Sequence, residues 1–229
     1  MSYLVLACDY DGTLATDGVV GEPTRQALVR WRASGRHLVL VTGRQLADLK
    51  AIFPAAWTLF EWIVAENGPV VFQPASGDKR LLAPSPPAAF ITELRRRQVV
   101  PLSLGDVVVA TTRENADEVL AAIQDLGLEL EVIFNKASVM VLPTGISKAT
   151  GLTAVLRAMS MAPAEVAGIG DAENDEALIG LCGLGVAVAN AVPELKAQAT
   201  RVTDAEAGGG VVELIDAILA SDPALEARP

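Results

Sequence analysis

Histidine occurs once in this 229-residue chain, as His37, and cysteine twice, as Cys8 and Cys182. A Ser-His-Asp triad would have to be built on His37, which opens a strand pattern, whereas open α/β sheets place their chemistry where strands end. Two cysteines without C-x-x-C spacing are too few for a disulfide framework or a zinc cluster, and read as small hydrophobes in a reducing compartment. Basic residues are outnumbered: Lys+Arg 18 against Asp+Glu 28 gives a formal charge of −10. That charge repels nucleic-acid backbones and anionic membrane surfaces, so neither is an expected partner. The longest uncharged apolar stretch, 177–192, is broken by glycines and Asn190 and falls short of a membrane span. No basic region precedes the first apolar run, so a signal peptide is not expected and the expected location is cytoplasmic. Internal repeats and low-complexity tracts are lacking too.

Hydrophobic residues make up 51% of the chain, ample for a buried core. The first apolar run, Leu4-Val5-Leu6-Ala7-Cys8, suits a strand buried on both faces and delivers Asp9, Asp11 and Gly12 at its carboxyl end. In extended backbone Asp9 and Asp11 project to one side. Two carboxylates this close are costly unless a divalent cation or a raised pKa neutralises one, and either marks a site. A calcium loop is excluded, because counting from Asp9 puts Leu14 and Val20 where the turn glycine and the bidentate glutamate belong. A polar turn closing a strand is the plain alternative.

Farther along, a helix over 22–34 with Pro23 in its first turn precedes a strand over 37–41 that ends in Thr42-Gly43-Arg44. A helix over 45–53 and a strand over 62–65 follow, and the Asn67-Gly68 pair predicts a hairpin into 70–72. From 82 to 143 the pattern changes. Pro84, Pro86 and Pro87 mark a joint, after which come a helix over 88–97, a strand over 106–112, a helix over 114–126, and hairpin strands 128–134 and 138–142 around Asn135-Lys136. That is an inserted α+β unit. Alternation resumes with helix 147–159, strand 166–170, helix 173–181, strand 184–188 and helices 193–199 and 210–219, so the main sheet is mostly parallel. Residues 221–229 read as a frayed tail or the start of a linker.

Three further groups fall at strand ends or helix starts. Thr42 and nearby N–H groups can hold a phosphate oxygen, and the Lys148 ammonium can neutralise both a nucleophilic carboxylate and a phosphoryl group. Gly170-Asp171-Ala172-Glu173-Asn174-Asp175 offers hard oxygen ligands suited to magnesium. Singly, each has a plainer reading: a turn, an exposed helix lysine, a helix cap.

Together these residues resemble the haloacid dehalogenase-like phosphatases with a type-IIB cap, in particular archaeal-type phosphoglycolate phosphatases and Cof-like sugar phosphatases. Asp9-x-Asp11-Gly12-Thr13-Leu14, Thr42-Gly43, Lys148 and Gly170-Asp171-x-x-Asn174-Asp175 are similar to that family's four motifs, and Glu66-Asn67-Gly68 is typical of the branch. The resemblance implies an α/β fold with a Rossmann-like parallel-sheet core over 1–82 and 146–229, helices on both faces, and a small α+β cap over 83–145. It implies Asp9 as nucleophile, Asp11 as acid and base, and Lys148 as charge neutraliser. It further implies Mg²⁺ held by Asp9, the Asp11 carbonyl, Asp171 and Asp175, and phosphate oxygens held by Thr42, Gly43, Lys148 and Asn174. Arg113, Asn135 and Lys136, at ends of cap strands, are candidate specificity residues toward a small phosphorylated metabolite such as phosphoglycolate or a sugar phosphate; a solvated arginine and a simple turn are their plainer readings. Three activities fit the motifs: a phosphomonoester hydrolase, a phosphomutase or phosphotransferase with the same aspartyl-phosphate, and a non-catalytic module that binds a phosphorylated metabolite.

Overall fold

The computed structural model describes residues 3–135 and 137–221. Lys136, and residues 222–229 of the expected tail, lie outside the described residues. The strands are β1 (Val5–Cys8), β2 (His37–Val41), β3 (Trp62–Ala65), β4 (Val70–Gln73), β5 (Asp78–Leu81), β6 (Ser103–Leu104), β7 (Val109–Thr112), β8 (Leu130–Asn135), β9 (Ser138–Pro143), β10 (Val166–Gly170), β11 (Leu184–Ala187) and β12 (Arg201–Val202). The helices are α1 (Glu22–Ala33), α2 (Leu46–Ile52), α3 (Ala56–Leu59), α4 (Ala88–Arg96), α5 (Ala116–Asp125), α6 (Lys148–Met159), α7 (Glu176–Leu181), α8 (Pro193–Gln198) and α9 (Ala207–Ala220).

The larger sheet runs β12-β11-β10-β1-β2-β3-β4-β5. It is parallel from β12 to β3 and antiparallel at β4 and β5. Its central strands are apolar throughout because both faces are covered, and their twofold periodicity divides them between two cores. Leu6, Cys8, Leu38 and Leu40 pack with Leu28 and Trp31 of α1 and with Leu214 and Ile215 of α9. Val5, Ala7, Val39 and Val41 face Leu152 and Val155 of α6 and Leu178 of α7. Each fully buried leucine of this set contributes about 1.5–3 kcal/mol. Trp31 is buried and its indole N–H donates to the His37 carbonyl at 2.9 Å, so a bulky side chain enters the core with its polar atom satisfied.

The second sheet, β6-β7-β9-β8, is antiparallel and formed wholly by chain lying between β5 and α6. Alternation again separates its faces. Val109 and Val141 pack under α4 and α5 with Phe90, Leu94 and Val119, whereas Met140 and Leu142 point the other way with Val107 and Val108. That other face looks toward the carboxyl ends of the larger sheet.

Several expected bounds move for identifiable reasons. The strand expected from 106 begins at Val109, because the N–H groups of Asp106, Val107 and Val108 bond to a side chain of the larger unit instead of a ladder. The helix expected from 114 starts with a 3₁₀ turn over Arg113–Asn115, and the one expected from 173 with another over Glu173–Asp175. In the β3–β4 hairpin expected at Asn67-Gly68, Glu66 joins Asn67 in the left-handed region (φ 56° and 67°). Gly68 serves a different need: a Cβ there would stand 2.0 Å from the Ser147 carbonyl oxygen, so its absence lets the start of α6 approach.

Gly151 sits in the same contact and gives a test of it. Replacing a helical glycine by alanine ordinarily gains about 1 kcal/mol. Here the added Cβ would lie 2.3 Å from Val64 Cγ1 and 2.4 Å from the Gly68 carbonyl oxygen, and a backbone oxygen cannot swing aside. Gly151→Ala is expected to lose roughly 1–3 kcal/mol in urea unfolding; a gain would show that α6 is not pressed against the hairpin.

Candidate active site

Asp9 follows β1 immediately, and its N–H donates to the Ile169 carbonyl at 3.0 Å, which fixes it at the junction of β1 and β10. Its Oδ1 accepts from Lys148 Nζ at 2.6 Å, and the same ammonium donates to Asp175 Oδ1 at 2.6 Å. Lys148 is the first residue of α6, where the helix dipole disfavours a cation, so these two carboxylates hold it there. Asp175 is fixed in turn, its Oδ2 accepting the N–H groups of Asp171 at 2.9 Å and Ala172 at 3.1 Å. Gly170 makes room for that loop, since a Cβ there would lie 2.5 Å from the Asp175 side chain. Asp171 Oδ1 accepts from the Thr13 hydroxyl at 3.1 Å.

Asp9, Asp171 and Asp175 are buried, and one carboxylate oxygen from each lies within 4.8 Å of the others. Three buried carboxylates gathered around the Lys148 ammonium concentrate negative charge, and the donors are all hard oxygens. That charge and that chemistry fit a divalent cation. The protonation balance agrees. Burial pushes the Asp9 carboxyl well above the usual carboxylate range; Lys148 opposes the shift, while Asp175 and Asp171 add to it. Burial alone would weaken Lys148's hold on its proton, but Asp175 and Asp9 reverse this and raise it, so the ammonium stays charged.

Asp11 parts company with Asp9. Extended backbone ends at Cys8, the Tyr10 carbonyl accepts the N–H groups of Thr13, Leu14 and Ala15, and Gly12 is left-handed (φ 81°). Asp11 therefore pairs with Arg44, in two parallel bonds of 2.7 Å from Nε and Nη2. The pair lies on the wall of a cavity of about 430 Å³ between the two sheets, lined also by Gln45, Ser103, Asn135 and Ser138. Gly43 faces that cavity beneath Met140 of β9. The Thr42 side chain is buried and its hydroxyl oxygen accepts the Arg44 N–H at 3.1 Å.

Asn174 is 8% exposed; its Nδ2 donates to Asn67 Oδ1 at 2.8 Å and its own Oδ1 has no protein partner. Among the candidate specificity residues, Asn135 lines the cavity, Arg113 stacks over the Phe134 ring at 4.7 Å and is not among the lining residues, and Lys136 is not described. His37 pairs with Val5 at the opposite end of the sheet, its Nδ1 2.6 Å from Glu61 Oε2. The Cys182 thiol, pushed up to about 12 by burial, donates to the Leu178 carbonyl, and Cys8 is enclosed in the core.

Four contributors escape the sequence reading: Thr13 on Asp171, Arg44 on Asp11, Asn67 on Asn174, and Glu66. The signals were present in Asp-Gly-Thr, Thr-Gly-Arg and Glu-Asn-Gly, but spacing reveals that a turn is polar, not which distant group it meets.

A model of the haloacid dehalogenase-like hydrolases matches residues 6–94 and 95–215. A phosphoglycolate phosphatase of Haloarcula marismortui is 33% identical over 224 residues, covering 92% of this chain and 95% of that one. Among solved structures, a haloacid dehalogenase-like hydrolase from Bacteroides thetaiotaomicron superposes with a TM-score of 0.78 at 22% identity, over 95% of this chain and 100% of that one. A subclass IIB sugar phosphatase of the same superfamily gives 0.74 at 20% identity, over 93% and 98%. Among the described residues no helix is long and apolar enough to cross a membrane.

Proposed function

We propose a specific activity for this chain, which belongs to the haloacid dehalogenase-like hydrolase family: it is a magnesium-dependent phosphomonoester hydrolase that works through an aspartyl-phosphate on Asp9, under a cap formed by residues 83–145. The observation that carries this reading is the Lys148 ammonium, shared at 2.6 Å by Asp9 and Asp175 beside a buried cluster of three carboxylates. A phosphate monoester brings further negative charge, so such a cluster accepts it only with a divalent cation present. Magnesium between Asp9, Asp171 and Asp175, with the Asp11 carbonyl as a further oxygen, would supply that charge and polarise the phosphoryl group.

The chain's own groups then divide the work. One Asp9 oxygen attacks phosphorus while the bond to the leaving oxygen breaks, and Asp11 delivers a proton to that oxygen. In the second half, water attacks phosphorus, Asp11 takes its proton, and the Asp9–phosphorus bond breaks to release inorganic phosphate. Lys148 neutralises Asp9 as one anion approaches another, and the Thr42 hydroxyl, the Gly43 N–H and Asn174 steady the phosphoryl oxygens. Asp11 must leave Arg44 to reach the leaving oxygen, which frees the guanidinium on the cavity wall.

The substrate class follows from that wall and from the similarity to the Haloarcula phosphatase. Arg44, Gln45, Ser103, Asn135 and Ser138 suit a small polar leaving group carrying a carboxylate or hydroxyls, such as the glycolate of phosphoglycolate. The test is phosphate release from phosphorylated hydroxy acids, sugar phosphates and an aryl phosphate, with and without chelator. Release is expected with magnesium and no acceptor sugar, to fall at least about a hundredfold on chelation, and to weaken for the best substrate in Asn135→Ala. Turnover that survives chelation would remove the metal from the reading. Phosphate transfer only to an added sugar would make the protein a phosphotransferase.

A further inference from the structure

Glu66 is a buried carboxylate that the mechanism above leaves unused. It is 1% exposed and its partners lie wholly on the cap: Oε1 accepts the Asp106 N–H at 2.8 Å, and Oε2 accepts those of Val107 at 2.8 Å and Val108 at 2.9 Å. Three successive backbone donors converge on one anion, a nest of the kind that binds carboxylates and phosphates. Gly105 completes it, since a Cβ there would stand 2.5 Å from the Glu66 carboxyl carbon and 2.6 Å from both oxygens. Outside the nest, Lys79 of β5 pairs with Asp106 at 2.8 Å and the Ser85 hydroxyl donates to the Asp106 carbonyl.

The backbone that presents Glu66 is tied to the phosphate side of the site. Glu66 and Asn67 are both left-handed, an unusual pair of conformations for residues with side chains. The Glu66 N–H donates to the Arg44 carbonyl at 3.0 Å and the Asn67 N–H to the Thr42 carbonyl at 2.9 Å. The Asn67 side chain holds Asn174, and Gly68 abuts the start of the Lys148 helix. One turn thus meets the Thr42–Arg44 loop, Asn174, the beginning of α6 and the cap. The loop clasped by Glu66 joins β6 to β7, and Ser103, Val108 and Ala110 from that hairpin line the cavity opposite Arg44.

We infer that Glu66 is a positioning residue: by seating residues 105–108 of the cap hairpin it sets the cap wall of the substrate cavity in register with the Thr42–Arg44 loop. This use of the clasp rests on the phosphatase reading, whereas the clasp itself does not. The role differs from mere support, because a loosened hairpin shifts the residues that grip the leaving group while the buried cluster around Lys148 is left as it was.

The test uses the full chain in Glu66→Gln and, from the other side of the contact, Gly105→Ala. Glutamine keeps the shape but replaces one acceptor oxygen with an amide that faces N–H groups. Alanine at 105 leaves the carboxylate intact and displaces it. In both, the amides of 106–108 are expected to exchange hydrogen at least about tenfold faster than in the parent protein, while those of β1 and β10 keep their protection. Activity should fall about tenfold or more in kcat/KM on the best phosphorylated hydroxy acid, mainly through KM, and far less on p-nitrophenyl phosphate, whose activated leaving group needs little from the cap. Unchanged exchange at 106–108 in both variants would overturn the clasp. Equal losses on the two substrates would place the effect of Glu66 in the Thr42–Arg44 loop and overturn its role in setting the cap wall. A parent protein that releases phosphate from no monoester would defeat the phosphatase reading, and the exchange rates would still decide whether Glu66 holds the hairpin.

Discussion

Asp9→Asn is expected to lose at least about a thousandfold in turnover and to form no phosphoprotein, because an amide cannot supply the attacking oxygen. The variant should fold. Lys148 keeps Asp175 as a partner at 2.6 Å, and replacing one of three clustered carboxylates relieves repulsion. Asp11→Asn should behave differently. Its loss, about a hundredfold to ten-thousandfold, falls on protonation of the leaving oxygen and on activation of water, so a phosphoryl group already on Asp9 should persist longer. Acid quenching during turnover of a labelled substrate separates the two: label on the parent protein, more on Asp11→Asn, none on Asp9→Asn. Near-normal turnover in folded Asp9→Asn would move the nucleophile elsewhere.

The largest combined effect on activity and stability is expected at Lys148. Lys148→Met keeps the length and apolar stem but removes the ammonium that Asp9 and Asp175 share. Breaking a buried charge pair from one side costs about 3–5 kcal/mol, since the remaining charges stay desolvated. The metal-free variant should therefore unfold at markedly lower denaturant concentration. Added magnesium should restore more stability to the variant than to the parent, because its site has lost a positive charge and a ligand that binds only the native state stabilises it more the tighter it binds. Turnover should stay low even so, because the ammonium that neutralises Asp9 as phosphate approaches is gone. Equal stabilisation by magnesium in both proteins would place the ion away from these carboxylates.

Much of the core was legible because a strand buried on both faces must be apolar along its length. Leu4 to Cys8, His37 to Val41 and Val166 to Gly170 announce themselves in this way, and whatever polar residue ends such a run is conspicuous. Asp9, Thr42 and Asp171 stand at those ends, and Lys148 was reached from the glycine turn before a helix. What stayed hidden depended on pairing rather than on burial. The strand Asp78–Leu81 is exposed throughout and carries Asp78, Lys79 and Arg80; only its ladder with Val70–Gln73 makes it a strand. Residues 106–108 looked like the start of a strand because valines favour one, yet their donors are claimed by a glutamate about forty positions earlier in the chain. The Asn67-Gly68 signal located the hairpin but could not show that Gly68 is required for close approach to the Lys148 helix.

The placement of β10 beside β1 governs the order in which this molecule can be assembled. Val5 finds its neighbour at Val166, and Asp9 its ammonium at Lys148, so β1 waits for most of the chain to leave the ribosome before one of its edges is closed. The segment in between has only near neighbours to find: β8 and β9 form a hairpin, and α4 and α5 cover it from close by in sequence. Such local pairing is fast, whereas closing a loop of some 160 residues is slow. During synthesis the inserted unit can thus condense while the larger sheet still lacks β10, β11 and β12. The carboxylates of Asp9, Asp171 and Asp175 therefore come together only at a late stage.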